Sequence, residues 1–123
     1  MDILTPAELN ARTCRPCEGG VEACTLDEAQ RQTKELGTKW DLIDSGKKLS
    51  KKLKVKNFAE AMKLLNAVAD VAEADQHHPD LHVTGYRHVG IELTTHAIGG
   101  LSENDFILAA KIDNICKTLG VEP

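Results

Sequence analysis

Residues 77–96, HHPDLHVTGYRHVGIELTTH, carry a clear signal for a β-hairpin. In the second half of this stretch, apolar or β-branched residues alternate with polar or small ones, as in a strand that is buried on one face. Residues 85–87, Gly-Tyr-Arg, suit the turn. We therefore expect two antiparallel strands here. The core side of the second strand would carry Val89, Ile91, Leu93 and Thr95, and its other side His88, Gly90, Glu92, Thr94 and His96.

Three helices are predicted around this hairpin, and each begins at a capping pair. In such a pair, a side-chain oxygen and a carboxylate three residues later each accept a hydrogen bond from an exposed backbone N–H group. The first helix is expected to run to about Leu36, because Gly37 favours a helix end. The capping pairs are Thr25 with Glu28, Asn57 with Glu60, and Ser102 with Asp105.

The core-facing sides of the later two helices follow from apolar residues spaced three and four apart. In the second helix these residues are Phe58, Ala61, Met62, Leu65, Val68, Ala69 and Ala72. In the third helix they are Phe106, Ala109, Ile112, Cys116 and Leu119.

Another hairpin is predicted between residues 38 and 55, where Asp44-Ser45-Gly46 suits a turn between two strands. Its second strand is rich in lysine, and we expect these lysines to point to solvent. The order α-β-β-α-β-β-α then predicts an α+β fold, in which three helices cover one face of a four-stranded antiparallel sheet. The other face and the sheet edges stay accessible, which favours self-association there.

The first 24 residues are expected to form an irregular arm, followed by a single domain over residues 25–123. Pro6, Pro16 and the Gly19-Gly20 pair interrupt any regular period in the arm, and 123 residues suffice for one hydrophobic core. We expect reduced thiols, because the predicted core needs no disulfide. One CxxC pair outside a βαβ unit is weak support for a redox or zinc role. The cysteines are Cys14, Cys17, Cys24 and Cys116.

Charge and hydropathy exclude several classes of function. The chain has 19 acidic and 15 basic residues and a net charge of -4, which gives no electrostatic reason to approach nucleic acid or an anionic membrane. It lacks an apolar run of 18 residues, and its first residues, MDILTPAELNAR, do not resemble a secretory signal. We expect a cytoplasmic protein, with an organelle as the open alternative, and no nucleic-acid or membrane partner.

All five histidines lie between residues 77 and 96. Antiparallel pairing brings the start of the hairpin beside its end, so His77, His78 and His96 should converge. His88 shares a strand face with His96 but lies roughly 26 Å away at about 3.3 Å per residue. His88 and His82 are therefore expected to be exposed strand or turn residues.

Imidazoles near neutral pH can transfer protons or bind a metal ion. Adjacent His77 and His78 are poor joint ligands of one ion, and the spacing lacks the usual zinc motifs, so we expect no metal. The sequence has no nucleophile elbow, P-loop or dinucleotide fingerprint. General acid–base chemistry on a small molecule is the favoured function.

One spacing pattern resembles the signature of the pterin-4a-carbinolamine dehydratases. It runs from Glu73 through His77-His78-Pro79, Tyr86 and His96 to Asp105. The arm sequence CRPCEGG and the stretch GGLSENDFILAAKID also look like this family, and HHPDLHVTGYRHV is most similar to its plant and bacterial branches. The resemblance implies a dimer or tetramer that removes water from 4a-hydroxytetrahydropterin to give quinonoid dihydropterin.

The resemblance also implies roles for particular residues. His77, His78 and His96 would be catalytic, with His77 and His96 transferring protons and His78 orienting the pterin. Glu73 lies one helical turn before His77 and could orient that ring. No cofactor is expected, since the pterin is the substrate. The implied substrate-binding residues are Glu73, Pro79, Tyr86 and Asp105.

A non-catalytic function stays open beside the enzymatic one. Relatives of this fold act as a dimerisation cofactor of a transcription factor or in Rubisco assembly, so the chain could be an interaction protein. Retention of all three motif histidines argues for catalysis, because a protein kept only for its surface would not need them.

Overall fold

A computed structural model of the protein describes residues 1–16 and 21–123. The predicted α+β fold is confirmed, with the strands and the three larger helices in the expected order. The elements are α1 (Pro6–Asn10), α2 (Leu26–Leu36), β1 (Asp41–Ile43), β2 (Lys48–Lys54), α3 (Phe58–Asp75), β3 (Asp80–Thr84), β4 (His88–Leu93), a 3-10 helix (His96–Ile98) and α4 (Glu103–Thr118).

The four strands form one antiparallel sheet in the order β1-β2-β4-β3. β4 lies in the middle, where Leu93 pairs with Leu49 of β2 and Glu92 pairs with Asp80 of β3. Successive side chains of a strand point to opposite faces, so one face of the sheet is apolar and packs under the helices. The other face carries mostly polar residues.

The helices begin where the capping pairs predict. Thr25 and Glu28 form a capping box before α2, and Gly37 ends α2 in the left-handed conformation, with φ 69°. The Asn57 side chain accepts from the Glu60 N–H at the start of α3. The capping box of Ser102 with Asp105 precedes α4. Each prediction of a helix start is confirmed, because a cap needs only local chemistry.

The core side of α3 differs from the prediction. Ala61, Leu65, Val68 and Ala72 are buried as expected, and Leu64 joins them. Phe58 and Met62 are instead 54% and 37% exposed, and Ala69 is exposed as well. The apolar residues of α3 therefore form two stripes, of which one packs on the core and the other faces outward.

The expectation of an irregular N-terminal arm is wrong for residues 6–10. Pro6 begins α1, and Thr5 and Glu8 form its capping box. Proline is favoured at the first position of a helix, where its missing N–H costs nothing. Leu9 is fully buried in the core, and Gln32 of α2 forms two hydrogen bonds with the backbone of Leu4. The Gly19-Gly20 pair lies outside the described residues.

The described cysteines are free thiols. Burial raises the pKa of the Cys14 thiol beyond its ordinary range, that of Cys24 to about 12 and that of Cys116 to about 11. A raised pKa keeps a thiol protonated and unreactive near neutral pH. Cys17 lies outside the described residues.

The expectation that the lysines of β2 face solvent is wrong for Lys51, which is fully buried on the helix side of the sheet. Its Nζ lies 3.3 Å from Asp113 Oδ1 in α4 and 4.8 Å from the ring centre of Trp40. It also donates to the Pro123 carbonyl oxygen, over 2.9 Å. Burial lowers the pKa of Lys51, and the nearby Asp113 carboxylate opposes that shift.

Asp113 is also bound by neutral donors. The indole Nε1 of Trp40 donates to Asp113 Oδ1 over 3.0 Å, and Thr38 Oγ1 donates to Oδ2. A buried ion pair is strongly destabilising when one partner alone is removed, because the other charge is left uncompensated. This cluster therefore fixes β2 to α4.

Among the helices of the described residues, none is long and apolar enough to cross a membrane.

Removing the Lys51 ammonium group should destabilise the fold. We expect Lys51→Ala to lower the free energy of unfolding by about 3–5 kcal/mol, because Asp113 would lose the cation with which it is paired. Urea unfolding followed by circular dichroism measures the change. Lys52→Ala, one residue along the strand and exposed, is the control and should change stability by about 0.5 kcal/mol or less. Equal effects of the two variants would contradict the role of the buried pair.

Candidate functional site

His77 is turned inward where α3 meets β3. α3 ends at Asp75, and its C-cap Gln76 adopts the left-handed conformation with φ 53°. The His77 N–H then donates to the Ala72 carbonyl oxygen, over 3.2 Å, and the side chain of His77 is only 6% exposed. Pro79, which follows, disfavours a return to helical geometry. The end of the helix thereby directs the first motif histidine toward α4.

Asp105 lies directly behind His77 and accepts three hydrogen bonds. His77 Nε2 is 2.7 Å from Asp105 Oδ1. The other oxygen, Oδ2, accepts from the Thr95 hydroxyl over 2.8 Å and from the Ser102 N–H over 2.9 Å. Asp105 is fully buried. A buried carboxylate bound in this way holds the imidazole in one orientation and fixes the ring hydrogen on Nε2.

His96 opens a short loop next to this cluster. The backbones of Thr95 and Gly100 bond to each other in both directions, which closes the loop over residues 96–99. Gly99 ends the 3-10 helix in the left-handed conformation, with φ 64°. Thr95 is buried and bound to Asp105, whereas His96 is exposed. The exposed His96 therefore directly follows Thr95, the residue that binds the Asp105 carboxylate.

The predicted pairing of Glu73 with His77 is wrong. Glu73 Oε2 instead lies 2.8 Å from Nε2 of His78, and both side chains are largely exposed, at 72% and 58%. The reason is the left-handed residue Gln76, which turns the chain out of the helix so that His77 points inward and His78 outward. Glu73 and His78 form a solvent-exposed pair beside the buried one.

Two residues implied as substrate contacts lie elsewhere. Asp105 is fully buried, so it reaches a substrate only through His77. Tyr86 is 60% exposed in the turn between β3 and β4, with φ 55°. The five residues of β3 place this turn roughly 16 Å from the end of the hairpin that holds His77. Tyr86 therefore does not share a site with His77 in one chain. Pro79 lies next to His78 and stays a candidate contact.

The remaining two histidines lie away from the cluster, as predicted. His82 and His88 are exposed and point to the open face of the sheet. Within residues 1–16 and 21–123, no group of three or more His, Cys, Asp or Glu side chains is arranged to hold a metal ion.

Thr95 and Ser102 are the functional residues that sequence reasoning missed. Thr95 was expected on the core side of β4, and Ser102 as a helix cap, but neither was linked to a histidine. Their hydroxyls lie 2.8 Å apart, and both residues bind Asp105. A polar residue among inward-facing apolar ones, next to His96 in sequence, was the available signal, because a buried hydroxyl needs a partner.

The fold and this site define a class of protein. It is an α+β protein in which a buried His–Asp pair and two exposed histidines lie at one end of a hairpin. The family model for pterin 4 alpha carbinolamine dehydratase matches residues 22–115. The chain belongs to this family, which confirms the predicted family and, with it, the predicted hydro-lyase class of enzyme.

Individual relatives agree with this assignment. A Nitrosomonas europaea protein named for the same dehydratase is 46% identical over 111 residues, which cover 90% of this chain and 96% of the relative. Mitochondrial pterin-4-alpha-carbinolamine dehydratase 2 of Arabidopsis thaliana is 44% identical, covering 89% of this chain and 59% of that protein. A crystal structure described as a transcriptional coactivator/pterin dehydratase from Brucella melitensis has a TM-score of 0.71 and 28% identity, covering 76% and 98% of the two chains.

The hydrogen bond from Thr95 to Asp105 should contribute to stability. We expect Thr95→Val to lower the free energy of unfolding by about 1.5–3 kcal/mol, the range for a bond to a charged group. Thr95→Ser retains the hydroxyl and should recover most of the loss. Thr84→Val, on an exposed position of the same hairpin, is the control. Chemical denaturation checks the series, and a Thr95→Val protein as stable as the wild type would refute the contact.

Proposed function

We propose that this chain catalyses the dehydration of 4a-hydroxytetrahydropterin to quinonoid dihydropterin, with imidazoles as general acid and base. The observation that carries the proposal is the buried pair of His77 and Asp105, with exposed His96 and His78 beside it. Family membership supports the substrate class. The reaction recycles a tetrahydrobiopterin-type cofactor.

The chemistry requires two proton transfers. The C4a–O bond breaks and the C4a=N5 double bond forms, so the departing hydroxyl needs a proton and N5 must lose one. No electrons are gained or lost from the pterin, and the reaction needs no further cofactor. Imidazoles near neutral pH can act as the acid that protonates the hydroxyl and as the base that accepts the N5 proton. Each transfer contributes about 10²- to 10⁴-fold to the rate.

Each histidine has a proposed role. His77 and His96 transfer the protons, and His78 orients the pterin. The Asp105 carboxylate holds the His77 ring in place, as the aspartate does in a catalytic triad. His96 lies on an exposed loop, and His78 is paired with Glu73, so both can contact a ligand from solvent. Pro79 and Glu73 are proposed to contact the pterin at the same end of the hairpin.

The cellular setting is also a proposal. The charge of the chain and its family favour a cytoplasmic protein with a small-molecule substrate and no nucleic-acid or membrane partner. An organelle is the alternative, because the similar Arabidopsis protein is mitochondrial by name.

Replacing the motif histidines should separate their roles. We expect His77→Gln and His96→Gln to lower kcat/KM by about 10²- to 10⁴-fold each, and His78→Gln to raise KM more than it lowers kcat. Stopped-flow absorbance with chemically generated 4a-hydroxytetrahydropterin measures the rates. His88→Gln removes an imidazole from the other end of the hairpin and should leave them unchanged. A wild-type rate equal to that in buffer would overturn the proposal.

A second candidate is a non-catalytic interaction protein, such as a dimerisation cofactor or a Rubisco-assembly scaffold. The Brucella melitensis structure favours this class, because it is described as a coactivator as well as a dehydratase. A wild-type protein without dehydratase activity would leave this candidate in place. Catalysis at the hairpin end and binding elsewhere on the surface are compatible.

We also propose that the chain forms a homodimer or homotetramer through the outer stripe of α3. Phe58 and Met62 lie one turn apart and are both exposed, and Ala69 continues the stripe. An exposed apolar stripe on a helix is typical of a surface that packs against another helix. The open sheet face, where self-association was expected, is polar and fits this role less well.

The double variant Phe58→Ser/Met62→Ser should dissociate the oligomer. Light scattering coupled to size-exclusion chromatography should give the monomer mass for this variant and a multiple of it for the wild type, because the variant loses apolar area from the interface. Lys63→Ser, on the same helix, is the control and should behave as the wild type. A wild-type protein that elutes as a monomer would contradict self-association.

A further inference from the structure

The face of the sheet that no helix covers has an ordered distribution of charge. Cross-strand pairing places Lys54, His88 and Thr84 in one row, with Lys52, Gly90 and His82 in the next. The third row holds Ser50, Glu92 and Asp80. Basic and imidazole side chains therefore occupy one end of the face, and carboxylates occupy the other.

Gly90 lies at the centre of this face, in the middle strand. The pairing of β4 with both neighbours continues through it without a bulge, and its φ is not positive. A Cβ added there would lie 3.5 Å from Cβ of His82, which is an ordinary contact. The backbone therefore does not require glycine here, although glycine weakens a strand interior. A glycine in this position often marks a site where a ligand approaches the sheet closely.

A depression of about 500 Å³ lies over this face, and Gly90 is among the residues that line it. Lys52 and His82 stand on either side of it, and Lys54 and His88 border it in the adjacent row. Side chains directly opposite on neighbouring strands are about 5 Å apart, so the groups beside Gly90 are about 10 Å apart at their bases. This separation leaves room for a small anionic group between them.

A small ligand fits this face better than a second protein. The depression falls within the usual range for small-molecule sites, about 300–1,000 Å³. β1, β2, β3 and β4 have 3, 7, 5 and 6 residues. At about 3.3 Å per residue and 4.8 Å between strands, the face measures roughly 330 Å², which is less than half of what each partner buries in a stable protein complex. The face is too small to hold a second copy by itself.

We propose that this face is a second ligand site, which binds the anionic group of a small phosphomonoester over Gly90. Lys52 and Lys54 supply two positive charges, and the rings of His82 and His88 supply further donors. Glu92 and Asp80 lie one row beyond and accept hydrogen bonds from hydroxyl groups on the same ligand. The anion position over Gly90 lies beside His82, four residues and about 13 Å along the chain from His78, so it is separate from the dehydratase end of the hairpin.

Titration with inorganic phosphate, followed by two-dimensional ¹H–¹⁵N NMR at constant ionic strength, tests this site. We expect a saturable shift of the Gly90 amide and of its strand neighbours. Lys52→Gln/Lys54→Gln should raise the Kd at least tenfold, because it removes both full positive charges. Gly90→Val should also raise the Kd, because its side chain would stand between Lys52 and His82 where the anion binds, without changing any charge.

Two controls distinguish specific phosphate binding from a general effect of surface charge. Lys63→Gln removes an exposed lysine from α3 and should bind phosphate as the wild type does. Dehydratase rates should be unchanged in Lys52→Gln/Lys54→Gln, so the phosphate site and the dehydratase site are tested independently. Shifts that do not saturate, or a Kd that is the same in the wild type and both site variants, would overturn the proposal. Should Gly90→Val fail to fold, the double lysine variant still decides, since both side chains are exposed.

Discussion

The carboxylate of Asp105 is the constraint on which the functional end of the molecule depends. It joins three segments: His77, which follows the C-cap of α3 and lies 28 residues before Asp105, Thr95 at the end of the β3–β4 hairpin, and Ser102 at the start of α4. A buried carboxylate is costly unless its oxygens accept hydrogen bonds. The hydrogen bonds that Asp105 accepts therefore fix the positions of His77 and Thr95, and through Thr95 the start of the loop that begins at His96.

The second buried carboxylate of α4 has a structural role. Asp113 lies eight residues after Asp105, about 12 Å along the helix, and binds Lys51 and Trp40 instead of a histidine. Among the described residues, no buried side-chain nitrogen or oxygen lacks a hydrogen-bond partner. One helix thus carries two acidic anchors: the first positions a candidate catalytic group, and the second attaches the helix to the sheet.

Much of the fold could be predicted because its signals are local. The alternation over residues 89–95 and the caps at Thr25, Asn57 and Ser102 depend on neighbouring residues alone, and the structure confirms them. Lys51 could not be placed, because its burial depends on Asp113 and Trp40, which are distant in sequence.

The contacts at the site likewise depend on the folded chain. The partner of Glu73 was misjudged because a single left-handed residue, Gln76, decides which histidine points inward. Tyr86 belongs to the family pattern, but the length of β3 separates it from His77. A motif shows which residues recur together, whereas only the folded chain shows which of them meet.

The most direct test of the central claim is a double-mutant cycle between His77 and Asp105, read as kcat/KM for 4a-hydroxytetrahydropterin. If Asp105 acts mainly by holding His77, Asp105→Asn should lower kcat/KM by a much smaller factor in His77→Gln than in the wild type, because Asp105 then positions only the loop that begins at His96. Losses in the two single variants that multiply in the double variant would show independent action, and would contradict the account.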